Sequence, residues 1–368
     1  MAKRTAYTAS QIFTGEAWIS DAAVIVENEL IADLISRADL PAEIDIIDFQ
    51  DQVLTPAFID AQLYGAKGRL LSVYPDSASL KLLAEDNLKG GTITCQPTIA
   101  TNTYEVFYRC IDAMRAYWNE GGKHIFGLHL EGPWINAGKR GAHIEELVQQ
   151  PAFATVKALL DYGKGVITMI TLAPEVCNKE IIDLIQSYNI IISAGHSNAS
   201  YQQALECFDW GIDAVTHLYN AMSPLQHRAP GLAGAAMDDQ RVAASIIPDG
   251  HHVDYAAIRI AKKAMGERLF AITDAVTDTS EGPYQHVLVG DKYESNGILS
   301  GSALSMAKAM KNLVDHCGIE FEEALRMCST YPAKVLRIHD RYGFVRKGHR
   351  AAFTILSPNK EVVTVIGS

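Results

Sequence analysis

A chain of 368 residues, 48% apolar and 20% charged, is long enough to bury a large core and to hold one big α/β domain plus a smaller one. Its formal charge of -11 argues against a general nucleic-acid or anionic-membrane surface, although a local basic patch can still hold one phosphate. Six cysteines without a C-x-x-C pair fit reduced thiols better than a disulfide framework, and with no apolar run of signal or membrane length the cytoplasm is the default.

The first fifty residues read as short strands with turns, at 7–10, 23–27, 30–34 and 45–48, with a hairpin around Asn28. The last segment, AFTILSPNKEVVTVI at 352–366, has the same character, with Pro358-Asn359 between two β-branched runs. Residues 1–54 and 345–368 are therefore expected to pair into one small β-sandwich, with 55–344 inserted between them as a separate domain.

That middle carries eight apolar runs, at 58–61, 92–96, 125–130, 166–171, 190–194, 214–216, 243–247 and 269–273. Helix-like stretches at 77–88, 104–119, 144–162, 179–187, 199–210 and 255–265 separate most of them, and 302–317 and 321–328 close the series. Eight strands alternating with helices predict a (β/α)8 TIM-like barrel. An open doubly wound sheet would want a Gly-rich loop after its first strand, and residues 62–68, QLYGAKG, are not that fingerprint.

Polar residues end the runs: Asp60 and Gln62, Gln96 and Thr98, His129 and Glu131, Thr171, His196, His217, Asp249 and Asp274. In a parallel barrel these exits converge on one face, where catalytic groups gather. Glu131, His196 and His217 supply one carboxylate and two imidazoles, a donor set suited to a catalytic divalent metal with an open position. No pair has the H-E-x-x-H spacing, so the assignment leans on the barrel. Asp274, at the eighth exit, is placed to shuttle a proton; Asp278 and Asp249 are weaker competitors. The long loop 131–143 can carry His143 over the metal to a substrate carbonyl, with Trp134 as a pocket wall. Arg228 and His252 form a natural anion pair, to which Asn220 adds a donor. Residues 277–301 read as a hairpin, turning near Gly290-Asp291, that can cover the mouth.

The words HLEGPW (129–134), GAH (141–143), SAGHS (193–197), THLYNAM (216–222), PGLAGAA (230–236), DGHHV (249–253), TDA (273–275) and GSALSM (301–306) together resemble the N-acetylglucosamine-6-phosphate deacetylase family of the amidohydrolase superfamily. The resemblance runs over nearly the whole chain. It implies the barrel with its terminal β-sandwich, one divalent metal ion with zinc first in line, and removal of acetate from a phosphosugar amide. It matches Glu131, His196 and His217 to the metal ligands, Asp274 to the catalytic aspartate and His143 to the carbonyl contact. Asn220, Ala221, Arg228 and His252 match the sugar-phosphate contacts. It also implies a homodimer with a shared phosphate site, Arg228 being the residue expected to cross. The chain departs from the family at Gln62-Leu63-Tyr64, where many members carry H-x-H and others Q-x-N, so a second metal would lack its ligands. Two alternatives stand beside this reading. One is a related amidohydrolase acting on another N-acyl amino sugar or a cyclic amide, the other a non-catalytic phosphosugar-binding protein.

Overall fold

A computed structural model describes residues 4–367. Its centre is an eight-stranded sheet: β1 (Phe58–Leu63), β2 (Thr92–Ala100), β3 (Leu128–Glu131), β4 (Ile167–Leu172), β5 (Ile191–Ala194), β6 (Ala214–Val215), β7 (Ala243–Ile246) and β8 (Leu269–Ala271). The strands lie side by side in chain order, and every adjacent pair is parallel. The ring is drawn shut just past β8. There Asp274 N donates to Gln62 O (2.9 Å) and Tyr64 N to Ala275 O (2.8 Å). Buried Asp60 strengthens this seam by accepting from Thr273 Oγ1 (2.5 Å) and from the backbone of Thr273 and Gln62. Burial drives its carboxyl up to about 7, a cost tolerated because three donors converge on it.

Around the ring lie α1 (Ser77–Lys89), α2 (Tyr104–Asn119), α3 (Phe153–Tyr162), α4 (Lys179–Ser187), α5 (Tyr201–Asp209), α6 (Gly231–Asp238), α7 (Tyr255–Met265) and α8 (Met306–Asp315). Most begin where a side chain caps the first turn, as Asp76, Thr103, Asn178, Ser200 and Ser305 do. Two expectations need correction. The stretch 144–162 is not one helix: a single 3-10 turn at Glu145–Leu147 is followed by extended chain, and α3 starts only at Phe153. Pro151 lies in the gap, and the residue before a proline resists helix. The second correction is α6, which the expected series lacks.

Outside the barrel the chain termini form two sheets. One has four strands in the order Leu30–Ser36, Ala22–Glu27, Arg4–Thr8, Asp45–Asp48. The other has five: Val362–Ile366, Phe353–Leu356, Val53–Pro56, Gln11–Phe13 and Trp18–Ile19. Val24 and Ile31 from the first pack with Ile12, Leu54, Phe353 and Ile355 from the second in one buried cluster. This small β layer is the sandwich expected from the two ends. Asn28 and Glu29, both at positive φ, turn the hairpin as expected. No helix among the described residues is long and apolar enough to cross a membrane.

Candidate metal-dependent active site

The carboxyl ends of the strands bring five polar residues to one buried point. Glu131 ends β3, His196 and His217 lie two residues past β5 and β6, Asp274 lies three past β8, and His143 reaches in from the loop after β3. All five are buried, none more than 9% exposed. His196 Nε2 and His217 Nε2 stand 3.2 Å and 3.1 Å from Glu131 Oε1, and 3.1 Å from each other. An atom equidistant from three corners so spaced sits about 2 Å from each, the usual length of a zinc bond to nitrogen or oxygen. The donors therefore fit one divalent ion. His143, with Glu131 and His196, makes another possible ligand set. Its Nε2 faces the other carboxylate oxygen, Oε2 (3.1 Å), so the tight triangle on Oε1 is the better cradle.

Two of the three rings are aimed by contacts behind them, while His217 Nδ1 is buried without a hydrogen-bond partner. His196 Nδ1 lies 3.0 Å from the Lys139 carbonyl, which selects the tautomer that leaves Nε2 free. His143 Nδ1 is held by Thr101 Oγ1 (2.7 Å), a residue the sequence reading did not single out. Gly141, at φ +58°, lays the β3 loop beside His196 and Ala221; a Cβ there would stand 3.6 Å from the imidazole. The backbone is strained at the same points: His196, His217, Ala221 and Asp274 have φ of 49°, 35°, 50° and 53°. Such left-handed positions cost about 1–3 kcal/mol each outside glycine and are kept where geometry demands them.

Gln62 and Tyr64 fill the remaining side of the site. Gln62 Nε2 lies within donating distance of Glu131 Oε1 (2.9 Å), Asp274 Oδ1 (2.8 Å) and Tyr64 Oη (3.0 Å). Tyr64 donates a short hydrogen bond to Glu131 Oε2, and its oxygen also stands 3.3 Å from Asp274 Oδ1. Two neutral side chains thus hold two buried carboxylates side by side. The carboxylates diverge in acidity. Burial pushes Glu131 up, but His196 and His143 outweigh it and hold Glu131 well below the usual range. Asp274 is raised, by burial first and then by the Glu131 charge. One carboxylate that stays ionised beside another disposed to take a proton is the pairing that ligand and shuttle roles need.

Tyr64→Phe is expected to reduce metal affinity or turnover roughly tenfold to a hundredfold, as loss of a contact behind a ligand commonly does. Isothermal titration of the apoprotein with Zn2+ alongside steady-state rates checks this.

The other expected residues lie outward of the triangle. His252 Nδ1 meets Asp249 Oδ2 at 2.5 Å, while Asp249 Oδ1 accepts from the backbone N–H of His251 and His252. Asp249 is thereby occupied in fixing His252. Asn220 is half-buried, its Nδ2 3.4 Å from the His217 and Leu218 carbonyls, and Arg228 is exposed on the loop before α6. Trp134 is not a pocket wall: it is fully buried, its Nε1 donating to Tyr104 Oη. The segment 277–301 folds into three antiparallel strands, Val287–Val289, Lys292–Ser295 and Ile298–Ser302, turning at Gly290-Asp291 as expected and again at Asn296-Gly297. Its tip reaches the β7 loop through Asp291 and His251 (2.7 Å).

Known proteins show the same architecture. Residues 53–367 match the amidohydrolase family, and residues 6–54 match the NagA composite domain. The chain is 34% identical over 366 residues to N-acetylglucosamine-6-phosphate deacetylase of Haemophilus influenzae, covering 96% of each. It is 30% identical to N-acetylgalactosamine-6-phosphate deacetylase of Escherichia coli O157:H7, covering 96% of this chain and 95% of that one. The crystal structure of N-acetylglucosamine-6-phosphate deacetylase from Pasteurella multocida superimposes with a TM-score of 0.94 at 33% identity, over 99% of this chain and 98% of that one. With its barrel, its terminal β layer and its buried Glu-His-His cluster all in place, the chain belongs to the amidohydrolase family.

Proposed function

We propose that the protein hydrolyses the N-acetyl amide of N-acetylglucosamine 6-phosphate to acetate and glucosamine 6-phosphate. The observation that carries this reading is Asp274 beside the triangle of Glu131, His196 and His217: a proton carrier next to a metal cradle at the mouth of a barrel. Relatives of that activity align over nearly the full length. Glu131, His196 and His217 would hold one divalent ion, zinc in the first instance, which supplies Lewis acidity and a water of lowered pKa. Asp274 takes a proton from the attacking water as the new C–O bond forms at the carbonyl carbon. His143 steadies the oxygen that becomes negative. Asp274 then returns the proton to the amide nitrogen as the C–N bond breaks, so the amine leaves neutral.

Asn220, Ala221, His252 and Arg228 are the proposed sugar-phosphate contacts. Arg228, exposed on its own subunit, would cross to the site of a partner in a homodimer. A cytoplasmic setting suits the phosphorylated substrate. The test is amine and acetate release from the 6-phosphate and from the unphosphorylated sugar, with metal analysis of the same sample. Loss of the phosphate should lower kcat/KM at least a hundredfold, since charge-assisted contacts contribute roughly 1.5–3 kcal/mol apiece. Arg228→Ala should shrink that ratio; an unchanged ratio removes Arg228 from the role. The relative acting on the galacto epimer favours one second reading, so N-acetylgalactosamine 6-phosphate belongs in the same panel.

A further inference from the structure

A small, partly open space adjoins the site beside Tyr64 and His143. It measures about 40 Å³, and its walls include Tyr64, Leu70, Ala100, His143, Val276 and Tyr284. Tyr64 and His143 are the two residues that touch Glu131 Oε2, so the space opens beside the reacting centre. Most of the remaining wall is apolar: Leu70, Val276 and Tyr284 form a buried cluster, with Tyr64 and Ala100 packed against it, while Ser72, His286 and Ser300 add a polar patch. The wall is also fixed, because Tyr284 Oη donates to the Thr101 carbonyl (2.6 Å) and accepts from Ile144 N (3.4 Å). Chain order gives the space a direction. Asn220, Arg228 and His252 follow β6 and β7, whereas these walls come from the end of β2 and from the loops after β1, β3 and β8. An amide held between the two rims points its amine-bearing sugar toward one and its acyl carbon chain toward the other.

We propose that this space is the acyl pocket, and that it admits N-acyl groups one or two carbons longer than acetyl. The proposal rests on the amide-hydrolysis reading above. Size supports it: one water-sized occupant needs roughly 10–15 Å³ by the same measure, so a methyl group leaves the pocket part-filled. Chemistry supports it as well. Each added methylene buried among Leu70, Val276 and Tyr284 gains transfer free energy equivalent to about a fourfold preference, which offsets the restriction of the longer chain.

The test is kcat/KM for a series of glucosamine 6-phosphates carrying N-formyl, N-acetyl, N-propionyl and N-butanoyl groups, each ratioed to another within one protein sample so that partial misfolding cancels. Wild type is expected to hydrolyse the propionyl amide within about tenfold of the acetyl amide. Ala100→Leu, which fills the pocket, should lower the propionyl-to-formyl ratio at least tenfold. Leu70→Ala, which enlarges it, should raise the butanoyl-to-acetyl ratio at least tenfold. Because the two variants push in opposite directions, failure of one to fold leaves the other decisive. Ratios unmoved in a folded variant overturn the pocket assignment while leaving amide hydrolysis intact. A wild type inactive on every acyl sugar, with metal bound, overturns the hydrolase reading and the pocket with it.

Discussion

Asp274→Asn is expected to lower kcat by roughly 10²- to 10⁴-fold, the range over which a positioned proton carrier contributes, while metal content stays near that of the wild type. The substitution is unusually clean. Asparagine matches aspartate in shape and shares its tolerance of left-handed backbone, and residue 274 sits at φ 53°. The main-chain bond from its N–H to Gln62 O, which helps close the barrel, is untouched. What disappears is the ability to accept a proton. The metal cradle of Glu131, His196 and His217 does not include residue 274, so elemental analysis should find the ion still bound. Stability should move the other way. Asp274 is raised in the folded state, by burial and then by Glu131, and a carboxyl so raised costs stability at pH values above its unfolded pKa. The neutral amide removes that cost, so the metal-free variant should melt at the same temperature as the wild type or higher. Full turnover in a metal-loaded variant would remove Asp274 from the mechanism.

The barrel was legible because its strands are buried on both faces and so appear as continuous β-branched runs rather than alternating ones. Each run ended on a polar word, and those words mark the strand exits to within a few residues. What escaped has physical causes. Seven of the eight residues of α6 are buried, so GLAGAAMD has no polar face and no 3.6-residue rhythm to read. Trp134 looked like a pocket wall because a large aromatic in a long loop suggests contact with a ligand, yet the loop turns it inward. The left-handed backbone at His196, His217 and Asp274 leaves no mark in composition, since none of the three is glycine. Tyr64 is the sharpest case. As a sequence feature it is only a departure from H-x-H or Q-x-N. Its meaning depends on the seam between β1 and residues 273–275, which brings its hydroxyl to Glu131 and Asp274 together. No local pattern reports that distance.

Glu131→Gln is expected to reduce bound metal from about one equivalent to below a tenth after dialysis, and to bring activity to background. Glu131 touches five members of the cluster, His196, His217 and Gln62 through Oε1 and Tyr64 and His143 through Oε2, and is joined to Asp274 through Gln62. An amide keeps the shape but removes the charge that a divalent ion needs. It also turns one of two acceptor oxygens into a donor, set against Gln62 on one side and Tyr64 on the other, which both donate to the carboxylate. If its oxygen faces the two imidazoles, its NH2 group meets Tyr64 and His143; if it flips, the NH2 group meets the imidazoles and Gln62. Either orientation leaves a mismatch in a pocket where Glu131 is 1% exposed, at a cost of about 1–3 kcal/mol for an unsatisfied buried group. The wild-type fold should nevertheless survive chelation, because hydrogen bonds already hold the carboxylate in place without an ion. Removing metal should cost only the linkage term, about 4 kcal/mol at a thousand times the dissociation constant, seen as a lower melting temperature with unchanged far-UV circular dichroism. Re-addition of Zn2+ should restore both melting temperature and turnover to the wild type and neither to Glu131→Gln. Recovery of the variant by Zn2+ at micromolar concentration would show that His143, rather than Glu131, completes the cradle with the two imidazoles.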